Sequence, residues 1–201
     1  MEITLAELPP AKRYGILASL IVPRPIALIS TISKDGVHNA APFSFFNVFG
    51  SKPPIVAVAP GDKAPGIPKD TARNIRDNGE FVVNMVDPAI AQGMNLSAAS
   101  LPPETSEFAS AGFIATTSTQ IQAPRIAEAP VSFECREHTT LHIGSNRLVI
   151  GEVLVAHVRD GILDPETYRR IQDGDYSPIG RMHSPDWYCE TNSLFSMPRP
   201  D

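Results

Sequence analysis

At 201 residues the chain is long enough for one domain with a good core and short for two ordinary ones, and its 42% hydrophobic and 19% charged residues describe a soluble globular protein. Its 17 basic and 22 acidic residues give a net charge of -5, and no stretch concentrates Lys and Arg, which disfavours a nucleic-acid partner. The acidic start MEITLAELPP lacks the basic beginning of a signal peptide, and no apolar run approaches the roughly 18 residues of a membrane span, so a cytoplasmic location is expected.

In chain order, residues 4–20 carry Leu5, Leu8, Tyr14, Ile16, Leu17 and Leu20 around Pro9-Pro10, a pattern that predicts an entry arm rather than a long helix. Ile26 to Ser33 is apolar and β-branched, Asp35-Gly36 tolerates positive φ, and Val37 begins a return segment, which together predict a two-residue hairpin. The return segment, Asn39 to Ser44, has small side chains and a proline. It suits either an edge strand blunted by Pro42 or a strand whose backbone a ligand can approach. Phe43, Phe45, Phe46, Val48 and Phe49 form an aromatic and apolar cluster fit for the core or for a subunit contact.

A short strand is expected over Ile55 to Ala59. A helix follows from an Asp70 N-cap to Asn78, with Gly79 at the left-handed C-terminal position, and then a strand from Phe81 to Val86. Asp87-Pro88 opens a second short helix through Ser97, and Pro102-Pro103-Glu104 a third ending near Gly112. Strands at 113–117, 131–138, 141–143 and 147–158 form a β-meander, with Gly144-Ser145-Asn146 as its last turn. One more short helix is expected from Asp164 to Gln172, and the segment from Tyr176 to Cys189 alternates turns with aromatics. Without regular β-α alternation, a closed or nearly closed antiparallel barrel with peripheral helices fits best.

Lys69-Asp70-Thr71 lies at the predicted helix start, where free N–H groups and the helix dipole favour an anion. These residues suit either a phosphate seat or an ordinary capped surface helix. His138 and His142 would lie about 13 Å apart on one extended strand, too far to share a metal ion, and Cys135 and Cys189 have no metal-ligand spacing. No metal site is expected. The signatures of nucleophile-elbow hydrolases, P-loop NTPases and Rossmann domains are absent from the sequence. Arg181 and His183 lie in a turn-rich segment, as ligand-facing groups or as exposed turn residues.

With these motifs in hand, the chain resembles the flavin reductase-like proteins of the FMN-binding split-barrel superfamily over roughly residues 14–195. The carriers are PRPIALIST at 23–31, HNAAPFSFFN at 38–47, KDTARNI at 69–75 followed by EFVVN at 80–84, and YSPIGR at 176–181. The resemblance implies a mainly β, antiparallel split β-barrel of Greek-key type with short peripheral helices. It implies one domain over residues 1–201, with 1–13 as an N-terminal arm and 190–201 as a tail. It also implies a homodimer, non-covalent FMN, NADH or NADPH as reductant, and a partner oxygenase or redox protein, with a flavoredoxin-like electron carrier as the alternative. By the same resemblance Ser30, Thr31, Asn39, Ala40, Ala41, Pro42 and Ser44 lie by the isoalloxazine and ribityl chain. Lys69, Asp70 and Thr71 lie by the phosphate, with Asn74 beside them, and Arg181 and His183 close the site from the same or the other subunit. The sequence departs from the family's small residues, often glycine, at Met182-His183-Ser184. The flavin itself accepts hydride, so no catalytic side chain is assigned.

Overall fold

The computed structural model describes residues 1–171 and 176–200. Seven strands form one antiparallel sheet: β1 (Ala27–Ile32), β2 (His38–Phe43), β3 (Phe46–Ser51), β4 (Pro54–Val58), β5 (Glu80–Met85), β6 (Val131–Ile143) and β7 (Asn146–Val158). Their spatial order is β2-β1-β5-β6-β7-β4-β3. The two edge strands, β2 and β3, are consecutive in the chain and joined only by Ser44 and Phe45, so the sheet must curl until its edges meet at one corner. The result is the split barrel implied by the resemblance.

The hairpin of β1 and β2 forms in the expected place with a longer turn. Its loop has three residues, Lys34 to Gly36: the Ser33 N–H donates to the Val37 carbonyl at 2.9 Å, the Gly36 N–H donates to the Ser33 carbonyl at 3.0 Å, and Gly36 has φ 82°. A tight turn followed by a left-handed glycine is the standard three-residue solution, and it fixes the register Thr31↔Asn39 and Ile29↔Ala41. Pro42 lies on the solvent-edge phase of β2, the phase on which the Ala40 N–H bonds outside the sheet. It therefore removes no ladder bond, contrary to what its place in a strand first suggests.

β1 is buried on both faces. Ala27 and Ile29 point into the barrel with Phe43, Val56, Val58, Phe81, Val83, Cys135 and Val149, where Ile75 of the helix α2 (Asp70–Asn78) joins them. Leu28 points outward with Ile26, Ala40, Val86, Ile90, Met94, Phe108, Ile126 and Ile179. Each such buried side chain contributes about 1.5–3 kcal/mol relative to exposure, so the two clusters hold β1 from both sides. Burial also pushes the Cys135 thiol pKa well up, leaving it an inert core group. β6 and β7 are longer than expected: the segments at 131–138 and 141–143 are one strand, with pairing irregularities at Glu134/Cys135 and Glu137/Thr139 that bend the ribbon round the barrel.

Several expected boundaries move. The helix α1 (Pro10–Leu20) replaces the expected irregular arm, because Pro9-Pro10 does not interrupt it but starts it, with Pro10 where a missing N–H costs nothing. Lys69, not Asp70, is the N-cap of α2, while Gly79 ends the helix in the left-handed conformation with φ 71°. Asp87 accepts the N–H groups of Ala89 and Ile90, and the helix after it, α3, is short (Ala91–Leu96). A fourth helix, α4, spans Glu107–Ala111. Over 164–171 the expected helix is instead a turn: Asp164 accepts the N–H groups of Glu166 and Thr167, and Leu163 bridges to Arg170. Gln172 lies outside the described residues. In the C-terminal segment Ile179–Arg181 pairs with Arg24–Pro25 and with Tyr188–Glu190. Among the described residues no helix is long and apolar enough to cross a membrane.

Candidate functional site

The inner face of β2 and the start of α2 make two walls of a cleft of about 160 Å³. Asn39, Ala41, Pro42 and Phe43 line one wall, Lys69, Asp70 and Thr71 the next, and Lys63, Glu107 and the loop from Ser97 to Leu101 complete it. A second hollow of about 390 Å³ shares Pro42, Phe43 and Lys69 with the cleft, and runs on past Ser44 and Phe45 to Tyr14 and to the loop from Ala59 to Asp62. Lys69 stands at the junction of the two.

Local sequence explains how the walls are held. The Asn39 side chain donates to the Thr71 hydroxyl at 3.1 Å, and the Asn74 side chain donates to the Thr31 hydroxyl at 3.0 Å. These two bonds tie α2 to both strands of the hairpin, and all four side chains are buried. Because the Thr71 oxygen accepts from Asn39, its own proton remains available to a ligand. Asp70 is held between Lys63 and Arg73, so its charge is answered inside the protein. Lys69 has no ion pair among the described residues, and its ammonium lies 5.3 Å from the centroid of the Phe43 ring. Burial, reinforced by Lys63, lowers the Lys69 pKa. A half-desolvated cation without a counter-ion, beside a free hydroxyl, is arranged for an anion.

The residues assigned by resemblance therefore divide. Asn39, Ala41, Pro42, Lys69, Asp70 and Thr71 line the cleft, and Ser44 lines the adjoining hollow. Thr31 and Asn74 sit behind the wall as a brace. Ser30 is fully buried on the opposite face of β1, where it donates to the Pro124 carbonyl and accepts from Asn84, so its side chain is not brought to the cleft. Ala40 also faces away, and its N–H is taken by Glu107 at 3.3 Å. Arg181 and His183 line neither hollow of this chain: the Arg181 guanidinium lies 4.6 Å from the Tyr188 ring centroid, and His183 stacks on Trp187 at 5.7 Å. Their segment still touches the site through Arg24, which donates to the Ser44 hydroxyl at 3.2 Å and to the Met182 carbonyl at 3.0 Å.

Sequence reading missed Glu107, Lys63, Arg24 and the loop from Ser97 to Leu101. Arg24 stands inside PRPIALIST and could have been asked for a partner, since a buried arginine needs one. Glu107 opens a short helix and looks like any first-turn acid.

The family model "Flavin reductase like domain" matches residues 19–176. An uncharacterized protein of Deinococcus radiodurans is 40% identical over 200 residues, covering 97% of this chain and 88% of that one. Among solved structures, the 2-nitrobenzoate 2-nitroreductase NbaA of Pseudomonas fluorescens is similar with a TM-score of 0.89 and 34% identity, covering 100% of this chain and 96% of that one. Component B of the nitrilotriacetate monooxygenase of Bacillus cereus has a TM-score of 0.92 and 32% identity, with 98% of each chain covered. With the match spanning most of the split barrel, including both walls of the cleft, the chain belongs to the flavin reductase-like domain family.

Proposed function

We propose that the protein binds FMN non-covalently along this cleft and works as an NAD(P)H-dependent flavin reductase. The observation that carries the reading is Lys69: a half-buried ammonium without an ion pair among the described residues, at the junction of a small polar cleft and a wider hollow. The donor set suits the cofactor. Lys69 and the Thr71 hydroxyl would hold the phosphate, while Ala41 and Pro42 leave the wall of β2 low enough for a flat ring, with Asn39 and Ser44 as polar neighbours. Bound flavin itself supplies the redox chemistry, accepting hydride from a nicotinamide and passing electrons on. The chain's own part is to bind, orient and exclude water, so no side chain need act as acid or base. NbaA reduces a nitroarene by its name and component B serves a monooxygenase, which supports an oxidoreductase role here and a partner oxygenase or redox protein as acceptor.

The chain is proposed to act as a homodimer. Phe45, Val48 and Phe49 are exposed in and beside β3, and Val48 borders an apolar hollow lined by Phe46, Ile55, Met85, Phe133 and Val153. A second copy covering this face would bring further residues toward Ser44, and Arg181 and His183 would then have a route to the site that they lack in one chain. Light scattering should give twice the chain mass; a species of 21.7 kDa at micromolar concentration overturns the dimer.

Anaerobic stopped-flow mixing of the FMN-loaded protein with NADH and with NADPH tests the activity. Rapid bleaching of the flavin band is expected. No bleaching with either nucleotide, alongside ready reduction by a protein donor, would make the protein an electron carrier instead. Unchanged flavin absorbance and fluorescence at saturating FMN would remove both readings.

A further inference from the structure

Glu107 stands in the cleft wall without a role in the reading above. It is 8% exposed, and one carboxylate oxygen accepts the N–H of Ala40 at 3.3 Å, which fixes the group on the edge of β2. A carboxyl so placed, in a cleft that also holds the unpaired Lys69, shares its space with whatever anion that lysine attracts. We propose that Glu107 sets the affinity of the cleft for a phosphate group: as a carboxylate it opposes the anion that Lys69 attracts, and as a neutral acid it does not. This rests on the reading of the cleft as the seat of the FMN phosphate.

The groups around Glu107 decide how it titrates. Asp70 of α2, Lys63 and Lys69 line the same cleft, and His38 of β2 packs its ring 5.5 Å from the ring of the neighbouring Phe108. Burial raises the Glu107 carboxyl above its ordinary range, its own N–H and that of Ala40 work against the rise, Asp70 adds to it and Lys63 opposes it. With a raised folded value, the neutral form persists into mildly acid conditions where a free glutamate has ionised. Binding of a phosphate ester should therefore be strongest there and weaken as the pH rises. Asp70 cannot substitute in this role, since Lys63 and Arg73 already neutralise it.

FMN is a poor probe of this effect, because its phosphate gains a second charge near pH 6. Riboflavin 5′-sulfate carries one charge throughout, and riboflavin carries none. Fluorescence titrations with both ligands, from mildly acid to neutral pH, so that the lowered pKa of Lys69 weighs least, give the ratio of their affinities. For the wild-type chain this ratio should fall about tenfold with rising pH, the order expected of one like charge acting across a shared cleft at an effective dielectric of about 20. In Glu107→Gln, which keeps an acceptor for the Ala40 N–H, the ratio should stay at the wild type's acid value at every pH. His38→Gln should keep the wild-type fall, which excludes the neighbouring imidazole as its source, and a flat ratio in the wild type counts against the proposal even where Glu107→Gln does not fold. A flat ratio in the wild type, a fall retained in Glu107→Gln, or a fall abolished in His38→Gln overturns the proposal while leaving flavin binding intact. A sulfate ester that binds no tighter than riboflavin at any pH removes the phosphate seat itself.

Discussion

The Asn39 side chain donates to the Thr71 hydroxyl across 3.1 Å, and that bond ties the strand on one side of the cleft to the helix on the other. Thr71→Val keeps the shape and removes the acceptor, leaving a buried amide unpaired. The expected cost is about 1–3 kcal/mol of stability, read as a lower midpoint in urea with unchanged slope. FMN affinity should fall as well, because the hydroxyl proton is lost to the phosphate. A variant as stable as the wild type would show that the two walls are held together by apolar packing alone.

Lys69→Ala removes the unpaired ammonium at the junction of cleft and hollow. A charge-assisted contact to phosphate is worth about 1.5–3 kcal/mol, so FMN affinity should fall roughly ten- to a hundredfold. Riboflavin affinity should hardly change, since the proposed ring neighbours lie on β2 and not on α2. Equal loss for both ligands would instead assign Lys69 to the ring, through its place over Phe43.

Much of this architecture is legible in the sequence because local chemistry agrees with the final fold. The apolar run of β1 and Gly79 each demand one conformation and receive it, while the turn at Gly36 and the start of α2 fall in the expected places with a three-residue loop instead of two and with Lys69 instead of Asp70 as cap. What escapes is set by partners distant in the chain. Thr31 and Asn74 look as ligand-ready as Asn39 and Thr71, yet they satisfy each other, and nothing in either motif announces the pairing. Ser30 differs from Thr31 only in phase along a strand buried on both faces, so alternation places it opposite the cleft once the register is known. Glu107 is 67 residues from Ala40 and meets it only because α4 packs against β2. Pro9-Pro10 misleads for another reason: proline ends a helix from inside and begins one from outside, and composition alone does not say which side it stands on.

The barrel also contains a buried carboxylate whose titration affects stability. Glu134 accepts the N–H groups of Thr119 and Gln120 at 2.7 and 2.8 Å, and His157 lies 2.6 Å from it, so one side chain of β6 pins the loop before it and meets β7. Burial alone would raise its pKa, but these bonds prevail and hold it below the ordinary value. A depressed folded value means stability that is complete above the unfolded value of about 4.3 and lost as the pH falls through the folded one. Melting temperatures should therefore drop steeply on the acid side of that range. Glu134→Gln should flatten this acid limb while lowering stability at neutral pH. An acid limb that is the same in both proteins would locate the titration elsewhere.

Packing makes the last prediction, at a place where the barrel wall has no room for a side chain. Phe81 is fully buried in β5, two strands from Gly151 in β7, and a Cβ at Gly151 would fall inside the volume of its ring. The ring has little room to retreat, because it is fully buried in the close-packed core that holds Val56, Ile75 and Val149. Gly151→Ala should therefore destabilise the protein by about 1–3 kcal/mol through overpacking, despite the better strand propensity of alanine. Pairing the change with Phe81→Leu should recover part of the loss, since the smaller side chain vacates the space the new methyl needs. A double-mutant cycle measured by urea denaturation reads this coupling directly. Strict additivity of the two changes would show that the wall yields at Gly151 rather than at the ring.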